Sequence, residues 1–329
     1  MLSAIAKATK SVYFEMYILD DDSKGVEFFN ALHAAVKRNV RVIVILDVVG
    51  SYDFLSNAVS RLREVGAEVL FASFFWKRLH RKVLITDEKI AFIGGVNVGK
   101  KYARWKDLQV EITGHTVESI TRSFARVYKR CGGAHVLADM NPRYDRLKKA
   151  KLWFVDHGIG KRQHEFRKYY EERLVSARES IVFVTPYLFP PRWFIARLHQ
   201  AMLRGVSVEI ILPQYTDHIF VNGINRSFAS CLSGLGAKCY FMEGMNHAKA
   251  VLVDRREGAI GSQNLDMLSF DWNIEAGVFF HEPHMVHELA SIIDGWKKEA
   301  AAFHHGKISF HWYDIPIAFF LRLFGFLPL

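Results

Sequence analysis

Short apolar runs bounded by polar or turn residues alternate along this chain with stretches of helical periodicity. Ile43 to Leu46 and Ile210 to Leu212 are such runs, and each reads as a buried strand. Between Gly25 and Lys37, the residues Phe28, Leu32 and Val36 recur every four positions, the apolar face of an amphipathic helix. Alternating β and α units predict an α/β fold, an open sheet flanked by helices on both sides.

The pattern is written twice. Ser11-Val-Tyr-Phe-Glu-Met-Tyr17 parallels Ser180-Ile-Val-Phe-Val-Thr-Pro-Tyr187, and a helical stretch follows each, Val26 to Lys37 and Trp193 to Leu203. Arg38-Asn-Val-Arg-Val-Ile-Val-Ile-Leu46 parallels Arg204-Gly-Val-Ser-Val-Glu-Ile-Ile-Leu212. Val65-Gly-Ala-Glu-Val-Leu-Phe71 parallels Leu235-Gly-Ala-Lys-Cys-Tyr-Phe241. A nearly fixed offset is what a duplicated domain with small loop insertions gives. The polar, basic stretch Asn141–Arg167 reads as the connector. The expected organisation is a first half over 1–150, a second over 151–312 and an apolar tail over 313–329.

The repeat carries chemistry. His80-x-Lys82-x4-Asp87 recurs as His247-x-Lys249-x4-Asp254. A small-residue turn ending in Asn follows each: Gly94-Gly95-Val96-Asn97 and Gly261-Ser262-Gln263-Asn264. His to Asn is 17 positions in both copies (97 − 80 and 264 − 247). On a strand, i and i+2 project to one face, so His80 joins Lys82 and His247 joins Lys249. An imidazole beside an ammonium suits phosphoryl transfer: a nucleophile or acid near neutral pKa, and positive charge for the phosphate oxygens. Asn97 and Asn264 add amide donors for the same oxygens. Two-step transfer needs a nucleophile and a separate proton donor, so the two halves are expected to supply one histidine each to one site.

Carboxylates stand at matched distances. Asp107 lies 27 residues after His80 (107 − 80) and Glu275 lies 28 after His247 (275 − 247). Each is expected to accept from Nδ1–H of its own half's histidine, fixing the tautomer and freeing Nε2.

Composition narrows the substrate. Lys and Arg exceed Asp and Glu by ten (44 − 34) over 329 residues, which favours a polyanion, either nucleic acid or an anionic membrane face. Cys131, Cys231 and Cys239 form no CxxC pattern and fit a reducing compartment. The opening MLSAIAKATKS is too short and polar for a signal peptide, and no run reaches the roughly 18 apolar residues of a membrane span.

These motifs resemble those of the phospholipase D superfamily, and the resemblance extends from about Ser11 to about Trp296. It is greatest to bacterial cardiolipin synthases without transmembrane helices, through Leu79-His-Arg-Lys-Val-Leu-Ile-Thr-Asp87, Ala91-Phe-Ile-Gly-Gly-Val-Asn97, Trp105-Lys-Asp107 and Gly261-Ser-Gln-Asn-Leu-Asp266. The resemblance implies two tandem halves, each a mixed β-sheet flanked by helices, related by a pseudo-twofold axis with the active site between them. It implies a catalytic set of His80, Lys82, Asp87, His247, Lys249 and Asp254, with phosphate held by Lys82, Asn97, Lys249 and Asn264 and no metal or other cofactor. His80 would be the nucleophile and His247 the general acid and then base, with the reverse assignment open. Asp87 and Asp254 would support the site structurally. The activity implied is transfer of a phosphatidyl group to phosphatidylglycerol through a phosphohistidine, at the cytoplasmic face of the bacterial inner membrane. The first turn departs from the signature, having Gly95 where the second copy has Ser262. The chain also opens inside the helix expected before the first strand, so the usual lead-in looks short.

Two segments bear on a peripheral membrane role. Phe71-Ala-Ser-Phe-Phe-Trp-Lys-Arg-Leu79 combines aromatics with cations, and Ile315–Leu329 is apolar apart from Arg322. An anionic phospholipid is therefore the expected substrate, and nucleic acid is not an expected partner. Hydrolysis of phospholipid to phosphatidic acid and a nuclease activity are the competing readings. His281, His284, His287, His304, His305 and His311 lack a regular ligand spacing, and no metal site is expected there.

Overall fold

The structure is a computed structural model of the 329-residue chain, described here for residues 1–52, 57–74, 77–137, 151–159 and 164–303. The tail over 313–329, most of the expected connector, and Phe75 and Trp76 of the aromatic–basic segment lie outside the described residues.

The chain opens with α1 (Leu2–Lys7), β1 (Ser11–Met16), α2 (Ser23–Lys37), β2 (Arg41–Asp47), α3 (Asn57–Glu64) and β3 (Glu68–Ala72). β4 (Lys82–Thr86), β5 (Ile90–Gly94), β6 (Gln109–Thr113), α4 (Thr116–Arg130) and β7 (Leu152–His157) follow. Then come α5 (Glu165–Ser176), β8 (Ser180–Val184), β9 (Leu188–Phe189), α6 (Arg192–Leu203), β10 (Ser207–Pro213), α7 (Ile219–Gly234) and β11 (Lys238–Met242). The chain continues through β12 (Ala250–Val253), β13 (Glu257–Gly261), β14 (Leu265–Asp266), β15 (Glu275–Phe280), α8 (Pro283–Glu299) and β16 (Ala300–Ala302).

The first sheet has the order β3-β2-β1-β4-β5-β6, and the second β16-β11-β10-β8-β12-β13-β15-β7. Removing β16 and β7 from the second leaves β11-β10-β8-β12-β13-β15, the first order repeated strand for strand. Both sheets are mixed. β1, β2 and β3 are parallel, whereas β4 returns antiparallel to β1; likewise β8, β10 and β11 are parallel and β12 is antiparallel to β8. Helices carry the chain across the parallel pairs, while β4 and β5 are joined by a tight turn.

The chain divides into two compact units. One comprises Met1–Gln163 with Ile260–Gln263 and Trp272–Val278; the other comprises His164–Ala259, Asn264–Asp271 and Phe279–Leu329. The first unit thus takes in a short piece of the second sequence repeat, the piece that carries Glu275.

Within the first unit the sheet is buried on both sides. Val12, Phe14, Val42, Val44 and Leu84 face a core closed by Phe28, Phe29 and Leu32 of α2. Tyr13, Ile43, Ile45, Val83 and Ile85 face a second core with Ile120, Phe124 and Val127 of α4 and with Ile274, Ala276 and Val278. Each such side chain stabilises the fold by about 1.5–3 kcal/mol. α2 starts two residues before the apolar period suggests, because Asp22 caps it by accepting from the Lys24 and Gly25 amides at 2.8 and 3.1 Å. Gly25 is required there, since a Cβ would lie 1.7 Å from the Asp20 carbonyl oxygen.

Candidate active site

β4 begins at Lys82, so His80 and Arg81 are the extended lead into it. Their side chains still alternate. Arg81 turns to the α4 side, where its Nε lies 3.0 Å from Glu15 Oε1, an ion pair not directed as a hydrogen bond. Its Nη1 donates to Ser123 Oγ at 2.9 Å, and Ser123 donates to Asp156 at 2.9 Å. Burial pushes the Glu15 carboxyl up to about 7, with Arg81 opposing and Asp156 reinforcing. His80 and Lys82 share the other face, as their i, i+2 spacing requires.

His80 is fixed on several sides. Its Nδ1 is 3.0 Å from both Glu275 carboxylate oxygens. Glu275 is fully buried and accepts from the Ser262 hydroxyl and, at 3.2 Å, from Asn273 Nδ2. Ser262 Oγ in turn accepts from the Ala276 amide at 3.1 Å. The Tyr17 ring stands edge-on to the imidazole with 4.6 Å between ring centres. Backbone bonds hold the adjoining chain: His80 N donates to Ile274 O at 3.0 Å, Ile274 N to Arg78 O at 2.8 Å, and Leu79 N to Asp47 Oδ2 at 2.8 Å.

The expected partner of His80 is therefore corrected from Asp107 to Glu275. The short parallel bridge between Leu79 and Ile274 brings Glu275 beside the imidazole. Equal spacing in the two copies suggested local pairs, and the fold pairs segments distant in sequence. Asp107 instead accepts from the Leu108 amide at 2.7 Å and sits against Gly95. A Cβ on Gly95 would come within 2.3 Å of Asp107 Oδ1, which explains why the first turn has glycine where the second has Ser262.

Lys82 is completely buried. Its Nζ donates to the His80 carbonyl oxygen at 2.7 Å and lies 4.9 Å from the centre of the Tyr17 ring. Burial lowers its pKa to about 8, partly opposed by Glu275, Asp107 and Asp47. Burial on its own would raise the Glu275 carboxyl, but His80, Lys82 and Ser262 together hold it below its ordinary value. An anionic carboxylate on Nδ1 keeps that nitrogen protonated and leaves Nε2 as the nucleophilic or basic atom.

In the second unit, His247 and Lys249 are likewise buried, and Lys249 Nζ donates to the His247 carbonyl oxygen at 2.5 Å. Tyr187 takes the place of Tyr17. Its ring is edge-on to His247 at 6.4 Å, and its hydroxyl donates to Asp217 Oδ1 at 2.7 Å. Asn97 and Asn264 are buried, and Oδ1 of each accepts no hydrogen bond. Both amides thus keep polar capacity for a bound group.

Asp87 and Asp254, grouped with the catalytic residues by the motif, work elsewhere. Asp87 sits beyond the far end of β4, about 16 Å along the strand from Lys82. Its carboxylate accepts from the Thr9, Lys10 and Ser11 amides at 2.7–3.1 Å. Asp254 accepts from the Arg178, Glu179 and Ser180 amides at 2.8–3.2 Å. Both adopt positive φ, 54° and 49°, at the turn that ends the motif strand. They latch that turn to the start of β1 or β8. Tyr17, Tyr187, Asp47 and Asn273 are site residues that spacing did not single out. The matched tyrosines closing Ser11–Tyr17 and Ser180–Tyr187 were the available signal.

Among the described residues, no group of three or more His, Cys, Asp or Glu side chains is placed to hold a metal ion, and no helix is long and apolar enough to cross a membrane.

This architecture is shared with solved structures. Phosphatidylserine synthase from Haemophilus influenzae superposes with a TM-score of 0.73 at 16% identity, over 98% of this chain and 89% of that one. Polyphosphate kinase from Porphyromonas gingivalis gives 0.64 at 14% identity, over 98% of this chain and 50% of that one. The sequence matches the family described as cardiolipin synthase, PLD-like domain, over residues 1–128 and 170–296, and the chain belongs to that family. It is 29% identical over 305 residues to a cardiolipin synthase of Clostridium perfringens, covering 85% of this chain and 64% of the relative. It is also 29% identical over 311 residues to the major cardiolipin synthase of Bacillus subtilis, covering 88% and 64%. The chain thus spans slightly less than two thirds of the length of these relatives.

Proposed function

We propose that this chain is a phosphatidyltransferase that makes cardiolipin from phosphatidylglycerol and a second phospholipid through a covalent phosphohistidine. The observation that carries the reading is the His80 imidazole, oriented by buried Glu275 with Lys82 beside it, in a chain whose motif is repeated at His247 and Lys249. Family membership supports the same chemistry.

In this scheme His80 Nε2 attacks the phosphorus of the donor lipid. The bond from phosphorus to the head-group oxygen breaks, and His247 gives that oxygen a proton, releasing glycerol. The hydroxyl of the acceptor lipid then attacks the phosphohistidine. His247 takes its proton, the P–N bond breaks, and His80 is free again. Lys82, Lys249, Asn97 and Asn264 offset the charge on the phosphate oxygens. Glu275 holds His80 through both steps and stabilises the imidazolium. The protein would act peripherally at the cytoplasmic face of the bacterial inner membrane, where its net charge of +10 favours anionic lipid.

Incubation with phosphatidylglycerol vesicles followed by lipid and glycerol analysis tests this. Cardiolipin and glycerol should accumulate in equal amounts. Phosphatidic acid alone would make the protein a hydrolase, and cleavage of single-stranded DNA with inert lipids would make it a nuclease. His80→Ala and His247→Ala should each lower turnover by about a thousandfold or more. Wild-type activity in either variant would reject the two-histidine scheme.

A further inference from the structure

The described residues expose eleven large apolar side chains, and five of them fall in two segments: Val49 and Tyr52 in the loop after β2, and Tyr215 in the loop after β10 with Ile219 and Phe220 at the start of α7 that the loop leads into. The loops are equivalent in the repeat. The first follows β2, the second follows β10, and these strands occupy the same place in the two sheets. Scattered apolar exposure is ordinary, but concentration at one repeated position marks an interaction surface.

Each loop is also fastened to the tyrosine that stands edge-on to its unit's histidine. In the first unit, Gly50 lies flush on Tyr17; a Cβ there would be 2.2 Å from the Tyr17 carbonyl oxygen and 2.8 Å from its ring. Ser51 Oγ donates to Tyr17 O at 2.9 Å and accepts from Leu19 N at 3.1 Å. In the second unit, Asp217 accepts from the Tyr187 hydroxyl, and the Thr216 amide donates to Asn222 Oδ1 at 2.6 Å. These loops are ordered by polar contacts on their inner side while Tyr52, Ile219 and Phe220 are 67–76% or so exposed. Holding an apolar tip outward on a fixed base costs solvation in water and is recovered where the tip enters an apolar medium.

We propose that the segments over 48–52 and 214–220, the second running into the first turn of α7, are membrane-docking elements, whose apolar side chains enter the interfacial layer of an anionic phospholipid bilayer beside each histidine. This rests on the lipid-substrate reading above. Two features favour a bilayer over a second copy or a soluble protein. The tips mix tyrosine with Ile and Phe, the amphipathic composition of an interfacial anchor. The net charge of +10 complements an anionic surface.

The test uses the full chain and vesicles of phosphatidylcholine with one third phosphatidylglycerol. Ile219→Ser with Phe220→Ser should weaken vesicle partition by about a hundredfold, and Val49→Ser with Tyr52→Ser by about tenfold. Turnover of monomeric, short-chain phosphatidylglycerol should stay at the wild-type value, and the thermal melt should not move, since all four side chains face water. Unchanged partition in both variants, or no vesicle binding by the wild-type chain, overturns the proposal. So does loss of self-association in sedimentation with partition intact, which would assign the loops to a second copy. Loop-dependent vesicle binding without cardiolipin formation would leave the docking loops standing and defeat the enzymatic reading. Cardiolipin formation with partition indifferent to the loops would do the reverse.

Discussion

In the proposed mechanism Glu275 has two tasks at His80: it holds the Nδ1 proton, and it supplies negative charge next to the imidazolium that transfer would form. Glu275→Gln keeps the volume and one acceptor oxygen but removes the charge and turns the other acceptor into a donor. The expected result is a kcat lower by about 10²–10⁴ with little change in KM. Trapping of phosphohistidine in a single turnover should slow by the same factor. Ser262→Ala removes one hydroxyl from the carboxylate and should cost about tenfold, because burial then raises Glu275 with less opposition. A Glu275→Gln enzyme as fast as wild type would show that the contact is structural only.

Lys82 sets a pH limit. Burial brings it down to about 8, so in the free protein it loses its charge as pH rises through that value. Its neutral form attracts phosphate less, and kcat/KM should fall about tenfold per pH unit above about 8. Stability moves the other way. The folded pKa lies below the ordinary 10.5, so burying the charged form costs stability at neutral pH and that cost is relieved between about 8 and 10.5. A kcat/KM profile flat to pH 10 would take Lys82 out of phosphate binding.

At the scale of elements, the two motif aspartates are latches. Asp87→Ala leaves three amides at the start of β1 without their shared acceptor, and Asp254→Ala does the same at β8. Each should destabilise the fold by about 1–3 kcal/mol, since these backbone groups are close to water and partly re-solvate. Burial would raise both carboxyls, but the amide bonds hold them below the usual 3.8. Their stabilising contribution is therefore complete above about pH 4 and is lost as pH falls through the lower, folded value. Thermal melts of either variant should sit several degrees below wild type at pH 7 and converge with it in acid. Turnover at low temperature should survive. Total inactivity in a folded Asp87→Ala protein would return that residue to the chemistry.

The same scale shows what the sequence disclosed. Residue spacing anticipated the duplication and the alternation of strand and helix, because the offset between repeats persists through strand, helix and turn, while the mixed sheets were what the family resemblance implied. The identical orders β3-β2-β1-β4-β5-β6 and β11-β10-β8-β12-β13-β15 are the consequence. The crossed contact of His80 with Glu275 was hidden by that same regularity. Distances of 27 and 28 residues fit a local pair in each half equally well, and only the bridge from Leu79 to Ile274 distinguishes the arrangements. Asp47, which braces Leu79, has no counterpart to draw attention to it, because β10 ends in Pro213 at the matching position.

At the scale of the whole molecule, two forces attract the protein to its substrate under the proposed function, and salt separates them. The net charge of +10 acts through solvent, so its reach falls from about 10 Å at 0.1 M salt to about 3 Å at 1 M. Each Lys or Arg close to an anionic bilayer contributes about 1 kcal/mol at low salt, most of which is screened at the higher concentration. Contact of Ile219 and Phe220 with the bilayer interior does not depend on that screening. Binding to vesicles containing phosphatidylglycerol should therefore weaken by about tenfold or more across this range and then level off, without vanishing. The plateau should disappear when Ile219 and Phe220 are both serine, leaving a curve that falls to nothing with salt. Wild-type binding unaffected by salt would remove the electrostatic component, and binding abolished at high salt would remove the apolar one.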